Sequence, residues 1–190
     1  MPNNLEISEN PNVEYIESTS KTYIVSSFLN ISDEYRSYLI KETRKVSNKN
    51  TASNLTGDST TFHLWEQMKC GELIDSIEQI ANIPNLLPWI GSDLITGKQI
   101  PQVLKEAWSS IYRKKDLAKR HNHSHAITAF VYYLHSSEEE DSPLIFDDGT
   151  RIKPKQGKLV FFPGFLYHEV PTMEKDNERI VIAGNLFYKF

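Results

Sequence analysis

Three of the six histidines in this 190-residue chain fall within five positions, His121-Asn122-His123-Ser124-His125. Neutral imidazole is a common metal ligand. In an extended strand, residues two apart share a face, so His121 and His123 can turn two rings toward one ion. On a helix the paired rings would instead be those of His121 and His125. The run Ile127–Leu134 that follows is rich in aromatic and β-branched residues and favours the strand. His-x-His alone does not require a metal, because a histidine is more often a satisfied core or surface residue. A further histidine strengthens the case. His168 stands just beyond an apolar run (Leu159–Phe162) and a Pro163-Gly164 turn. That arrangement delivers a third ring from a separate strand. Imidazole suits iron, zinc, copper and nickel alike, so ligand type does not select the ion.

Eleven residues after His168, Arg179 opens the apolar run Ile180-Val181-Ile182-Ala183. A charge entering a buried strand needs a partner. Either Arg179 lies at a surface strand end or pairs with an acid such as Asp176, or its planar fork receives a carboxylate in two parallel hydrogen bonds. The basic stretch Arg113–Arg120 beside the histidines is either a solvated loop or an attractor for an acidic ligand. Phe130, Tyr133, Phe161 and Phe162 are either plain core or the walls of a pocket.

The elements that must position these residues divide the chain in two. Residues 22–29 have the bias of a strand. Ser32 followed by Asp33 and Glu34 marks a helix start, and the spacing of Tyr35, Tyr38, Leu39 and Val46 predicts a helix over 32–46. Residues 47–60 read as a polar loop. Leu73, Ile74, Ile77, Ile80 and Ala81 predict an amphipathic helix over 69–83. A short helix is expected at 101–107. From Trp108 onward, strand-like runs at 108–113, 126–135, 143–147, 158–163 and 178–189 alternate with polar turns, which argues for a barrel or sandwich. Several runs are apolar on both faces, as for a sheet packed on both sides. The expected organisation is a single domain: a flexible tail (1–13), a helical support region (14–100) and a β core (101–190). The acidic tract 136–142 reads as a solvated hairpin loop.

The formal net charge of −4 gives no global field for nucleic acid or anionic membrane, so neither partner is expected. The one cysteine, Cys70, excludes an intramolecular disulfide framework and multi-thiolate metal sites. The N-terminal residues have no basic segment followed by an apolar core, and no run approaches a membrane span. A cytoplasmic location is the expectation, whether cellular or viral. Oligomeric state is not legible.

As a set, the residues resemble the double-stranded β-helix core of 2-oxoglutarate/iron(II)-dependent oxygenases, in their prolyl-hydroxylase-like branch. The resemblance rests on Tyr112, His121, the strand ending Tyr133-Leu134, Gly157, Phe162-Pro163, His168 and Arg179. It is closer still to a bacterial and phage branch, carried here by Trp108, His121-Asn-His123, Val131-Tyr-Tyr-Leu134, His168-Glu-Val-Pro171 and Arg179-Ile180. It covers residues 100–190 well and the first half loosely. The implied fold is α+β and mainly β, a jelly-roll or cupin-like barrel with buttressing N-terminal helices. The implied activity is hydroxylation of a small-molecule or peptide substrate with O2, with succinate and CO2 as co-products. The implied cofactors are Fe(II) and 2-oxoglutarate. By resemblance His121 and His168 are iron ligands, Arg179 holds the distal carboxylate of 2-oxoglutarate, and Tyr112 adds a hydroxyl.

Two departures stand out. The usual third iron ligand is a carboxylate, whereas His123 holds that place. Asp147 or Asp148 could supply the carboxylate from another strand, or His125 could substitute. Val181 stands where relatives often carry a serine. The alternative reading is a cupin-type metal-binding β-barrel that does not use 2-oxoglutarate. Such a barrel usually adds a glutamate soon after His-x-His, and none occurs between His125 and Leu134.

Overall fold

The chain passes from strand to helix at Ser32, whose hydroxyl oxygen accepts the Tyr35 N–H at 3.2 Å. That bond satisfies one of the unpaired donors at the helix start, and Asp33 and Glu34 set negative charge against its positive end. The helix, α1 (Asp33–Val46), is the one expected at 32–46. The computed structural model describes residues 13–17, 22–49, 54–137 and 142–189. The predicted tail, apart from Val13, and the middle of the acidic tract 136–142 lie outside the described residues. A four-residue helix, α2 (Leu64–Gln67), precedes α3 (Gly71–Ala81), whose Leu73, Ile74, Ile77, Ile80 and Ala81 are buried as their spacing predicts. No helix among the described residues is long and apolar enough to cross a membrane.

The strands form two antiparallel sheets. The larger contains β1 (Glu14–Glu17), β2 (Tyr23–Phe28), β3 (Asn48–Lys49), β4 (Asp58–Ser59), β5 (Gln102–Tyr112), β7 (Thr128–His135), β10 (Lys158–Pro163) and β12 (Arg179–Tyr188). Its order is β1-β2-β10-β7-β12-β5-β4-β3. The smaller contains β6 (Ala118–His121), β8 (Leu144–Phe146), β9 (Arg151–Ile152) and β11 (His168–Val170), in the order β6-β11-β8-β9.

Two apolar layers follow from the alternation along these strands. On β10, Leu159 and Phe161 join the helix residues Leu39, Leu73 and Ile77 on one face. Val160 and Phe162 point the other way, into the space between the sheets with Phe146, Leu144 and Val170. On β12, Ile180 and Ile182 face the helices and Val181 faces inward. Both-face apolar runs are therefore explained by a sheet with helices on one side and a second sheet on the other. Phe161 packs on the helical side and so takes no part in the space between the sheets.

Two expectations are corrected. Residues 101–107 do not form a helix: from Gln102 they are the first half of β5, paired along its length with β12. A bulge between Asn185 and Leu186 interrupts the pairing beside Glu106 and Leu104. It shifts the alternation, so Leu104 and Ala107 are both buried at a spacing of three, which imitates a helical face. The polar loop at 47–60 and the helical support region also hold strands. β3 and β4 close one edge of the large sheet, with Asp58 opposite Ile111 and Ser59 opposite Ser110. They are two residues long and polar, as suits an edge, and carry no readable periodicity.

Candidate active site

His121 ends β6 and His168 begins β11, and the two are direct partners across the smaller sheet. Their rings lie 4.4 Å apart, centroid to centroid. His123 lies just past β6 rather than in it. Its backbone N–H donates to the Gly164 carbonyl at 2.7 Å, and its own carbonyl accepts from Ala126 at 2.8 Å. The loop is thereby pinned to the Pro163-Gly164 turn. A Cβ at position 164 would meet the Ala126 and His123 carbonyl oxygens at 2.2 and 2.6 Å, so only glycine permits this approach. The outcome is three rings around one point, with one ligand atom from each of His121, His123 and His168 all within 4.8 Å of one another. Three nitrogens each about 2.1 Å from one ion lie roughly 3–3.6 Å from one another, so binding draws the most separated of these atoms together by roughly 1–2 Å.

The hydrogen bonds prepare these rings for a cation. His121 Nδ1 is 2.7 Å from the Lys119 carbonyl and His168 Nδ1 is 3.0 Å from the Leu166 carbonyl. A carbonyl only accepts, so each Nδ1 carries the proton and each Nε2 presents its lone pair. Burial disfavours the charged ring, and neighbouring rings would repel it. His123 is pushed down to about 3 by burial and then by His168, His121 and His125. His168 is pushed down to about 4 by burial and then by His121, while burial also lowers His121. All three rings are neutral bases at neutral pH. The His123 ring stacks on Trp108 at 5.7 Å, which fixes its plane.

Arg179 begins β12 opposite Tyr112, the last residue of β5. It is 1% exposed, the one buried Arg, Lys, Asp or Glu among the described residues. Its Nη1 donates to the Ser142 carbonyl, and the guanidinium lies over the Tyr112 ring at 4.6 Å. Nε and Nη2 have no partner among the described residues. Two unpaired N–H groups on a buried cation are costly, and together they match the two oxygens of a carboxylate. The guanidinium lines the same inner cavity as the three histidines, with Phe130, Tyr133, Phe162 and Val181 completing the walls. Tyr112 lines it too, and burial raises its phenol, which stays protonated and able to donate.

Other sequence candidates have different employment. Asp147 forms a two-point ion pair with Arg120, with one contact at 2.7 Å, and Arg120 lies over Tyr167. Asp148 accepts the Thr150 N–H. Neither carboxylate belongs to the histidine group. His125 turns away toward Glu106, with Nε2 at 3.1 Å from Oε2. In the basic stretch, Arg113 pairs with Asp58 and Glu178. Glu106, Asn185, Phe62 and Ser142 carry no functional mark in the linear chain. Glu106 and Asn185 are direct partners across β5 and β12, a relation fixed by register through a bulge and invisible in the linear chain.

Residues 109–187 match the model of the 2OG-Fe(II) oxygenase superfamily. No curated protein sequence matches the chain. In three dimensions the chain is similar to a prolyl-4-hydroxylase of Pseudomonas putida, with TM-score 0.64 and 16% identity over 90% of this chain and 95% of that one. It is similar to a viral collagen prolyl hydroxylase of Paramecium Bursaria Chlorella virus-1, solved with 2-oxoglutarate, with TM-score 0.59 and 16% identity over 95% and 98%. It also resembles HygX of Streptomyces hygroscopicus, solved with nickel, 2-oxoglutarate and hygromycin B, with TM-score 0.64 and 10% identity over 90% and 85%. These likenesses establish the double-stranded β-helix fold that the sequence predicts.

Proposed function

We propose that this chain is a 2OG-Fe(II) oxygenase that binds iron(II) through His121, His123 and His168, binds 2-oxoglutarate through Arg179, and hydroxylates an organic substrate with succinate and CO2 as co-products. The observation that carries the reading is Arg179: a buried cation with two N–H groups that find no partner among the described residues, in one cavity with three neutral imidazoles. A metal site without an anionic co-substrate leaves that cation unexplained.

The bound iron and 2-oxoglutarate would supply the oxidising chemistry; the protein supplies position and environment. Arg179 fixes one end of the co-substrate through its planar fork, and Ser142 and Tyr112 fix Arg179. Tyr112 stands beside that fork as a neutral donor. Phe130, Phe162 and Val181 keep the inner cavity apolar and limit water. His121 and His168 hold their lone pairs inward through the Lys119 and Leu166 carbonyls. His123 replaces the usual carboxylate with a neutral ligand, which leaves the site one unit more positive. Attraction for the dianionic co-substrate rises and retention of the cation falls.

The all-imidazole set also favours a second reading, a metal-binding barrel that does not use 2-oxoglutarate. Succinate formation from 2-oxoglutarate separates the two. Anaerobically reconstituted protein should yield succinate on admission of O2, and Arg179→Gln should not. Iron-loaded protein that yields none would favour the second reading. The experiment is run both with and without a panel of candidate substrates.

A further inference from the structure

If the three histidines hold iron, as proposed above, the substrate reaches them through the outer cleft, and what lines that cleft selects it. The cleft measures about 620 Å3, within the range of small-molecule sites at roughly 300–1,000 Å3. Its apolar lining includes Phe62 and Trp108, which meet edge to face at 5.1 Å. Phe62 is 59% exposed, so its ring is open to a ligand entering the cleft.

Among the described residues lining this cleft, Glu106 is the one Asp, Glu, Lys or Arg. Its carboxylate is held in place: Asn185 Nδ2 lies 2.6 Å and His125 Nε2 3.1 Å from Oε2. Both contacts fall on one oxygen, and Oε1 has no partner among the described residues. Burial alone would raise its affinity for a proton, but the bonds from Asn185 and His125 outweigh it, and the group sits below the usual carboxylate range. Glu106 and Trp108 are two residues apart on one strand, so about 7 Å separates them along β5. Trp108 in turn stacks on His123. The cross-strand pairs of β5 and β12 thus run from Arg179 with Tyr112 at the inner end to Asn185 with Glu106 at the outer end. The inner end is positive and the outer end negative, with the histidines between.

We propose that the substrate carries a positively charged nitrogen, an ammonium or guanidinium, received by Glu106 Oε1, with the adjoining carbon chain against Phe62 and Trp108. The aromatic edge and face add cation–π attraction. The opposed charges also sort the two ligands: a dianion is drawn past Glu106 to Arg179, and a cation stops short of Arg179.

Hexylammonium, hexanol and hexanoate share a carbon chain and differ in charge. Ligand-observed NMR on the full chain should show hexylammonium binding roughly 10- to 100-fold tighter than hexanol, as one charge-assisted hydrogen bond implies. Hexanoate should gain nothing over hexanol. Glu106→Gln, which keeps an acceptor for Asn185, should reduce hexylammonium to the level of hexanol. Equal binding of hexylammonium and hexanol by the unmodified protein overturns the proposal, and so does a preference that survives Glu106→Gln. The comparison on the unmodified protein needs no variant and decides the matter if Glu106→Gln does not fold. Zinc(II) and 2-oxoglutarate titrations on the same samples test the oxygenase reading separately: their failure would sink that reading, while the ammonium preference is scored on its own.

Discussion

Arg179→Gln removes a cation that is 1% exposed and has two N–H groups without a partner among the described residues. If those groups bind a carboxylate, each charge-assisted bond contributes about 1.5–3 kcal/mol. Losing both weakens 2-oxoglutarate by about 3–6 kcal/mol, or roughly 10^2- to 10^4-fold. Arg179→Lys keeps the charge but replaces a planar fork with a point donor, so an intermediate loss of roughly 10- to 100-fold is expected. The fold should survive, because deleting a buried charge also deletes its desolvation cost. What is lost in the protein is the Ser142 bond and the stacking on Tyr112. The assay is calorimetric titration of 2-oxoglutarate into anaerobic, iron(II)-loaded protein, with iron affinity measured in parallel. Iron affinity should be unchanged, since Arg179 touches no histidine of the triad. Co-substrate affinity within about threefold of the unmodified protein, under 1 kcal/mol, would refute the role of the fork.

His123→Asp restores a carboxylate to the third ligand position. It should bind iron(II) more tightly while weakening 2-oxoglutarate, and equilibrium dialysis of both ligands reads the two effects together; unchanged iron affinity would show that position 123 is not a ligand. Gly164→Ala drives a Cβ to 2.2 Å from the Ala126 carbonyl oxygen and 2.6 Å from that of His123. The His-x-His loop must shift, with destabilisation of about 2–4 kcal/mol and loss of metal binding, read by chemical denaturation and metal titration; a variant with native metal affinity would contradict the pinning role of Gly164. The metal-free protein should lose stability on acidification. His168 titrates at about 4 when folded against 6.5 ordinarily, and His123 at about 3. The unfolded chain therefore binds more protons below pH ~6.5, so stability is full above that value and falls as pH drops toward ~4. His168 alone accounts for about 3 kcal/mol of this. Denaturant midpoints that stay flat from pH 7 to pH 5 would show that these rings are not held neutral by burial.

How much was legible depended on whether a residue's role is local or relational. Ser32 with its two following acids, and the Leu73–Ala81 spacing, encode helices within one or two turns, and both helices stand where predicted. His121, His168 and Arg179 were legible because strand ends and a Pro-Gly turn mark them in the chain. His123 reached the site for a different reason than expected. The strand ends at His121, and a backbone bond to Gly164 carries His123 inward instead of strand alternation. Residues 102–107 imitate a helix because the bulge in β5 itself, where Lys105 is the extra residue, buries Leu104 and Ala107 at a spacing of three. The edge strands β3 and β4 are too short and polar to show any period. Glu106 and Asn185 meet only through the register of β5 and β12, so their pairing needed the structure.

The central claim is that three imidazoles and Arg179 together bind iron(II) and 2-oxoglutarate at one site. Anaerobic visible absorption tests it most directly, because a charge-transfer band appears only when the co-substrate chelates the iron itself. The expected result is a band that requires both iron(II) and 2-oxoglutarate, is absent in His168→Ala, and in Arg179→Gln needs far more co-substrate to develop. Iron bound in full with no band at saturating 2-oxoglutarate would contradict the account.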